Sequence, residues 1–373
     1  MAKDTQIPLV IICGGKSSEH EISLLSAGSV IRNADPKRYQ IELITIDQEG
    51  FWYYQPSTEV KKVVKGKAIS IQKKFPVGAI PSQGLFYIDQ QGDRQPIAAQ
   101  VVFPVLHGTN GEDGTMQGFL DMVRVPYVGS GVLGSSLGMD KEKIKQVWEQ
   151  AGLPVVPYKT YILLKSDELP SQSKIEDMWR HWTHQLGTPV FIKPARAGSS
   201  IGISQAHDVK EFQQGFYKAL EYDSKILIES SVKAREIECS VIGNTLPRAF
   251  VPGEVKTSHS FYDYEAKYID PNGAELFIPA SLPQDVVLRI KDLAVRAFRA
   301  CEARGLARVD FFYDEEHDRI YLNEINTLPG FTQISMFSKM CEAGGLAYKD
   351  IIDELVELAF EESNRKTQLS YTH

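Results

Sequence analysis

From Ala307 to Ser335 the chain reads ARVDFFYDEEHDRIYLNEINTLPGFTQIS, two strand-like apolar runs separated by a short acidic turn. Side chains two apart on a strand share a face, so Glu324 and Asn326 point the same way. A turn centred near His317 sets Asp310 opposite Glu324. Two carboxylates and an amide then meet at one spot, and carboxylates forced together repel unless a hard cation lies between them. Magnesium takes oxygen ligands and usually arrives with substrate phosphates, so the hairpin suggests a metal–nucleotide site. An edge hairpin with solvated acids reads from the same residues.

A chain of 373 residues has room for about two or three domains with real cores. Its net charge of -7 argues against nucleic acid as the main partner, because phosphate-backbone binding needs an excess of Lys and Arg. Cys13, Cys239, Cys301 and Cys341 lie far apart with no CxxC pair, which fits a reducing compartment and gives no zinc pattern. No segment approaches the roughly 18 consecutive apolar residues of a membrane span. The start, MAKDTQIPLVIICGG, has too short an apolar run for a signal peptide and reads as a buried strand. The expectation is a cytoplasmic protein with no membrane partner.

Pro8–Cys13 as a strand, Glu19–Asn33 as a helix and Gln40–Asp47 as a second strand predict an α/β layer with a parallel sheet. Residues 51–100 read as short strands and turns elaborating that layer. Val101–Leu106 is a buried strand, 115–124 a helix, and the Gly- and Ser-rich stretch 129–140 a domain boundary. Lys141–Gly152 and 171–186 read as helices, and Pro189–Lys193, Lys225–Glu229 and Ile237–Ile242 as strands. Residues 256–275 are polar and aromatic without periodicity; a loop that long in a compact protein is usually functional or disordered. Pro283–Ala303 and Leu346–Glu362 are helices, with the last ten or so residues frayed.

Gly129, Gly131 and Gly134 match G-x-G-x-x-G, but the pattern sits far from the chain start and the acids that follow lie on a charged helix, so NAD binding is disfavoured. Gly15-Lys16-Ser17 ends like a P-loop, yet the first glycine would fall on Val10. The stronger phosphate candidate is VFIKPARAGSSIG, a strand carrying Lys193 that opens into small residues whose N–H groups can approach phosphate closely. A flexible surface loop would look similar. Glu229 and Glu236 suit ribose hydroxyls or plain solvation. Arg308 suits either an ion pair with Asp310 on its own strand face or a clamp on a substrate carboxylate or oxyanion. His107 and Glu112 lie in a loop beyond a buried strand, where α/β ligands bind, although a lone loop His is more often structural.

In order along the chain, GGKSSEHEIS, HGTNGEDG, MDK, IKPARAGSSIG, the Glu229/Glu236 pair, REIECSVIG, FYDYEAKY, ARVDFF and NEINTLPGFTQISM resemble the D-alanine–D-alanine ligase family. The resemblance spans about Val10 to Ala359, and 50–100 carries none of these motifs. It implies an ATP-grasp fold with an N-terminal doubly wound parallel-sheet domain (1–136), a central subdomain (137–231) and a C-terminal subdomain (232–373) bearing a lid loop, 256–275. It also implies the joining of two D-alanines, with ATP as co-substrate, through an acyl phosphate for peptidoglycan synthesis.

By that resemblance Lys141, Lys193 and Lys267 would meet the ATP phosphates, with Ser199 and Ser200 under the Gly-Ser loop. Glu229 and Glu236 would hold the adenosine side, and Phe312 would join the ATP-binding set. Asp310, Glu324 and Asn326 would hold two magnesium ions, or manganese in their place. Glu19 would hold the first D-alanine's ammonium in a network with Ser199 and Tyr268, and His107 would lie on the substrate side. Arg308 and the Gly330 N–H would meet the tetrahedral oxyanion, while Ser335 and Met336 would position the second D-alanine's carboxylate. A homodimer is implied as well. The rivals are a D-alanine–D-lactate ligase, or another ATP-grasp carboxylate–amine ligase, and a non-catalytic nucleotide-binding protein on the same fold. Tyr268 in EAKY favours the dipeptide over the first of these.

Overall fold

The computed structural model describes residues 6–64, 67–165, 169–257 and 274–370. The first layer opens with β1 (Ile7–Gly14), α1 (His20–Asn33), β2 (Tyr39–Ile46) and β3 (Trp52–Gln55). A one-turn α2 (Ser57–Val60) and an antiparallel sheet of β4 (Val77–Ile80), β5 (Gly84–Ile88) and β6 (Arg94–Pro96) occupy the stretch read as short strands. β7 (Val101–Val105) and α3 (Thr115–Val123) follow. The main sheet runs β3-β2-β1-β7, with β1 parallel to both β2 and β7. From Leu9 to Gly14, β1 is buried without a break, as a strand covered on both faces must be. Leu9, Ile11 and Cys13 pack with Leu24 and Ala27 of α1, while Val10 and Ile12 pack with Met116 and Leu120 of α3. The doubly wound layer follows directly from that alternation.

Next come α4 (Val132–Met139) and α5 (Lys141–Gln150). Two of the glycines that marked 129–140 as a boundary allow close packing. A Cβ on Gly134 would stand 2.9 Å from the Glu302 carbonyl oxygen, and one on Gly138 3.2 Å from Thr327 Cγ2. Asp140 starts α5 by accepting the Lys143 N–H, an N-cap that the MDK motif carries in its own sequence.

An antiparallel sheet of order β10-β9-β11-β8 is built from β8 (Tyr158–Ile162), β9 (Val190–Pro194), β10 (Ser204–Ala206) and β11 (Lys225–Ser230). It is backed by α6 (Gln172–Leu186) and α7 (Val209–Leu220) through Ile175, Phe212 and Phe216. The second large sheet, β15-β14-β12-β16-β17 with β13 on β12, comprises β12 (Arg235–Gly243), β13 (Arg248–Ala249), β14 (Gly253–Thr257), β15 (Ala274–Phe277), β16 (Gly305–Asp314) and β17 (Arg319–Asn326). α8 (Gln284–Ala300) covers it, burying Val286, Ile290, Ala294 and Ala297 at helical spacing. α9 (Met336–Ala343) and α10 (Tyr348–Thr367) close the chain. The tail expected to fray is helical through Thr367, held where Lys366 Nζ meets Asp121 at 2.7 Å. Among the described residues no helix is long and apolar enough to cross a membrane. All four cysteines are buried and free.

Candidate functional site

β16 and β17 form the expected hairpin, and its register sets Asp310 opposite Glu324 and Arg308 opposite Asn326. The register shifts between Asp310 and Phe311, so Phe311 pairs with Leu322 and Asn323 is the extra residue. This bulge has a physical reason. Leu322 and Glu324 are two apart and would share a face on a regular strand. The extra residue reverses the phase, sending Ile320, Leu322 and Ile325 to the core and leaving Glu324 and Asn326 to the site.

Around Asp310 the charges interlock. Arg308 donates to it twice, Nε to Oδ1 at 2.7 Å and Nη2 to Oδ2 at 2.6 Å, and Asn326 Nδ2 donates to Oδ2 at 3.1 Å. Arg308 Nε also lies 3.0 Å from Glu238 Oε2, on the β12 residue paired with Asp310. Burial works against the Arg308 charge, but Asp310, Glu238 and Glu324 outweigh it and hold its pKa well above the ordinary arginine value. Lys141 Nζ lies 3.4 Å from Glu324 Oε2 and donates to the Ala197 carbonyl at 2.9 Å, tying the hairpin to the Gly-Ser loop. Among the described residues no group of three His, Cys, Asp or Glu side chains stands in metal-holding geometry. The expected trio contains two acids and an amide. Its donor atoms are oxygen, and its acids face each other in register, which suits a hard divalent cation.

The Gly-Ser loop leaves β9 after Lys193. Its entry is fixed by Asp223, which accepts the Arg196 backbone N–H at 2.8 Å and the guanidinium at 3.1 and 2.5 Å. Ser199 and Ser200 both take left-handed backbone, φ 53 and 55°, unusual for residues with a Cβ and typical of strained functional loops. Behind the loop, Glu229 is held by two lysines, Lys145 Nζ to Oε1 at 2.8 Å and Lys193 Nζ to Oε2 at 2.5 Å. Burial alone would raise the pKa of Glu229, but the two ammonium groups outweigh it and pull it down to about 2. The Phe312 ring lies 5.9 Å from Lys193 Nζ, and Glu236 pairs across to Phe312 from β12.

From the first layer, Gly14 turns the chain out of β1 at φ +94°, where a Cβ would strike the Ile46 carbonyl at 2.1 Å. The turn delivers Glu19 to the start of α1. Its Oε2 would lie 3.4 Å from a Cβ on Gly108 and 3.7 Å from one on Gly198, so it stands between the post-β7 loop and the Gly-Ser loop. His107 is buried, with Nδ1 3.0 Å from the Leu328 carbonyl and Nε2 3.4 Å from Ser26 Oγ; burial lowers its pKa and keeps it neutral. Glu112 Oε2 accepts the Gly108 N–H at 2.7 Å, and burial together with the Glu19 charge pushes its pKa up to about 8. Ser26 Oγ also accepts the Phe331 N–H at 3.3 Å, fixing the loop that carries Gly330. Ser335 Oγ would lie 3.1 Å from a Cβ on Gly330, and Met336, buried, begins α9.

These elements therefore bring Glu19, His107, Lys141, Lys193, the two serines, Arg308, Asp310, Glu324, Asn326, Gly330 and Ser335 to the junction of the three sheets. Lys267 and Tyr268 lie outside the described residues. Thr257 pairs with Ala274, so the stretch expected to form the lid leaves and re-enters the sheet edge at one point. Glu238, Lys145 and Ser26 were not singled out from the sequence. Glu238 had a signal, since it alternates with Glu236 in REIEC and shares its strand face. Lys145 had one too, lying one helical turn after Lys141.

Comparison with known proteins agrees along most of the chain. The family model described as D-ala D-ala ligase N-terminus matches residues 8–130, and D-ala D-ala ligase C-terminus matches 147–357. A D-alanine--D-alanine ligase of Treponema denticola is 46% identical over 357 residues, covering 95% of this chain and 96% of its own. One of Thermoanaerobacter pseudethanolicus is 42% identical over 358 residues, covering 96% and 98%. Among solved structures, the D-alanine-D-alanine ligase from Coxiella burnetii superposes with TM-score 0.80 at 31% identity, covering 97% of this chain and 96% of that one. The VanG D-Ala:D-Ser ligase from Enterococcus faecalis gives TM-score 0.80 at 30% identity, covering 95% and 100%.

Proposed function

Because the chain belongs to the D-alanine–D-alanine ligase family, we propose that the junction of its three sheets is where it uses ATP to join two D-alanines into the dipeptide of peptidoglycan precursors. The fold is ATP-grasp. ATP and D-alanine are small-molecule substrates, and the products are D-alanyl-D-alanine, ADP and phosphate. The observation that carries this reading is the β16–β17 register, which faces Asp310 to Glu324 with Arg308 on the same face and Lys141 alongside.

A carboxylate is a poor acyl donor, so the first D-alanine is activated as an acyl phosphate. Lys141, Lys193 and the loop at Ser200 would hold the ATP phosphates, with Lys267 joining them. Glu229, Glu236 and Phe312 would line the adenosine side. Asp310, Glu324 and Asn326 would hold two magnesium ions, which when bound neutralise phosphate charge during in-line transfer. Glu19 would hold the ammonium of the first D-alanine, supported by Ser199 and Tyr268, with His107 fixing the floor of that pocket. Ser335 and Met336, at the N-terminal end of α9, would position the carboxylate of the second.

The second amine, once deprotonated, attacks the activated carbonyl and pushes charge onto its oxygen. Arg308 Nε and Nη2 are committed to Asp310, which leaves Nη1 without a partner among the described residues to meet that charge beside the Gly330 N–H. An acyl phosphate hydrolyses readily, so the stretch 256–275 is assigned as a lid that excludes water.

A division at 1–136, 137–231 and 232–373, a homodimer and a cytoplasmic location complete the proposal. A second reading has one observation behind it: the likeness to a D-Ala:D-Ser ligase leaves the second substrate to be tested. Phosphate release with ATP, magnesium and D-alanine, against L-alanine as control, tests the first point, and identification of the product with D-serine or D-lactate competing tests the second. Release with L-alanine alone, or none with D-alanine, overturns the reading.

A further inference from the structure

Two lysines share a single carboxylate in the interior. Lys145 and Lys193 hold the two oxygens of Glu229 at 2.8 and 2.5 Å, and the three side chains are only 1, 10 and 2% exposed in the order Lys145, Lys193, Glu229. They arrive from α5, β9 and β11, so the cluster joins three elements rather than one turn. Lys145 lies one helical turn beyond Lys141, whose Nζ reaches Glu324 and the Ala197 carbonyl, so both lysines leave α5 on the side facing the site.

With both lysines charged, the cluster carries one positive charge in excess. An isolated buried ion pair gains little, and apolar replacements are often neutral or stabilising. A buried cluster with an uncompensated cation is worse still for stability, unless an anion arrives to meet it. Burial and the neighbouring Lys193 press Lys145 toward its neutral form, while Glu229 and, as the smaller cause, Glu324 oppose them. The cost is borne next to the strand and loop assigned to the ATP phosphates.

We propose that Lys145 is a positioning residue for the nucleotide: it neutralises Glu229 from behind, so that Lys193 is held in place by that carboxylate yet keeps its positive field for the phosphates. The inference rests on the reading of Lys193 as a phosphate-binding residue. Without Lys145, Glu229 becomes the full counterion of Lys193 and cancels it. Lys145 itself touches no substrate.

The test is titration calorimetry of ADP with magnesium chloride on the full chain, together with steady-state kinetics. Lys145→Met should raise the ADP Kd by about tenfold (1.4 kcal/mol) or more, with KM for ATP rising in step. The D-alanine KM and the kcat at saturating ATP should stay within about threefold, because the loss is of ground-state nucleotide binding. Lys145→Arg keeps a positive charge against Glu229 and should bind ADP within about threefold of the unmodified protein, which a loss of packing alone would not predict. Should Lys145→Met fail to fold, Lys145→Gln keeps a donor to Glu229 without the charge and carries the same expectation.

ADP binding like that of the unmodified protein in the folded Lys145→Met variant, or Lys145→Arg binding ADP as weakly as Lys145→Met, overturns the role of Lys145. So does a fall in melting temperature with no change in nucleotide affinity. If the unmodified protein itself binds no ADP, it is the nucleotide reading that falls, and the two failures are thereby told apart.

Discussion

Arg308 and Asp310, two apart on β16, meet through two side-by-side hydrogen bonds of 2.7 and 2.6 Å. Paired this way, a guanidinium gains direction as well as charge, because both of its bonded N–H groups are fixed in the plane of the carboxylate. The pair aims the rest of the arginine, and the acid that aims it is also an assigned metal ligand.

Arg308→Ala should therefore cut turnover by about 10²–10³, the usual loss for one oxyanion donor, while ADP affinity stays near that of the unmodified protein. Arg308→Lys should restore little, since an ammonium cannot reproduce the planar fork. Single-turnover rates alongside ADP calorimetry check this. A variant whose main defect is nucleotide affinity would make Arg308 an ATP ligand instead.

Asp310→Ala and Glu324→Ala should each abolish turnover. Each should also weaken manganese binding, followed by paramagnetic resonance in the presence of ADP. Activity retained in either variant would sink the assignment of the hairpin as the metal site.

Glu112 gives a pH signature. Its carboxyl titrates near 8 when folded against an ordinary 4.5. Between those values the folded chain keeps a proton that the unfolded chain has lost, so this group makes stability fall as pH rises through the window, by up to about 1.4 kcal/mol per pH unit. Glu112→Gln should remove that slope, gaining stability relative to the unmodified protein at pH 8 and little at pH 4. Urea unfolding across the range measures it, and parallel curves for the two proteins would refute the shift.

Gly134→Ala tests the close packing of α4. The new methyl would stand 2.9 Å from the Glu302 carbonyl oxygen, and overpacking of this kind costs about 1–3 kcal/mol. The melting temperature should drop with ADP affinity unchanged; an unaltered melting temperature would mean that α4 is free to shift.

Tyr268→Phe should relax the choice of the second substrate. Product ratios with D-lactate or D-serine competing against D-alanine read this out, and an unchanged ratio removes Tyr268 from that role.

Much of this was legible in the chain. The unbroken apolar run of β1 and the helix beginning at Lys141 follow from local rules that tertiary packing did not overturn, whereas the pairing of Asp310 with Glu324 also needs the bulge at Asn323. The helix at 132–139 was hidden because its glycines answer to neighbours over 160 residues away, Gly134 to Glu302 and Gly138 to Thr327, and not to the backbone around them. Residues 209–220 were passed over although Phe212, Phe216 and Ala219 recur at helical spacing. Glu324 and Asn326 could be placed together from strand parity alone. Glu238 and Lys145 could not, because their importance depends on which strand or helix lies beside them.

The extra residue at Asn323 gives β17 something like a reading frame. Removing a paired residue such as Tyr321 would set Leu322 next to Ile320 and on the opposite face, and the hairpin could then keep its core or its acid in place, but not both; removing Asn323 itself would leave Leu322 and Glu324 on the opposite faces they already occupy. Single-residue insertions and deletions among the paired residues of β17 should thus be less tolerated than the loss of Asn323, and a lineage could lose its activity there without altering any of the residues that perform it.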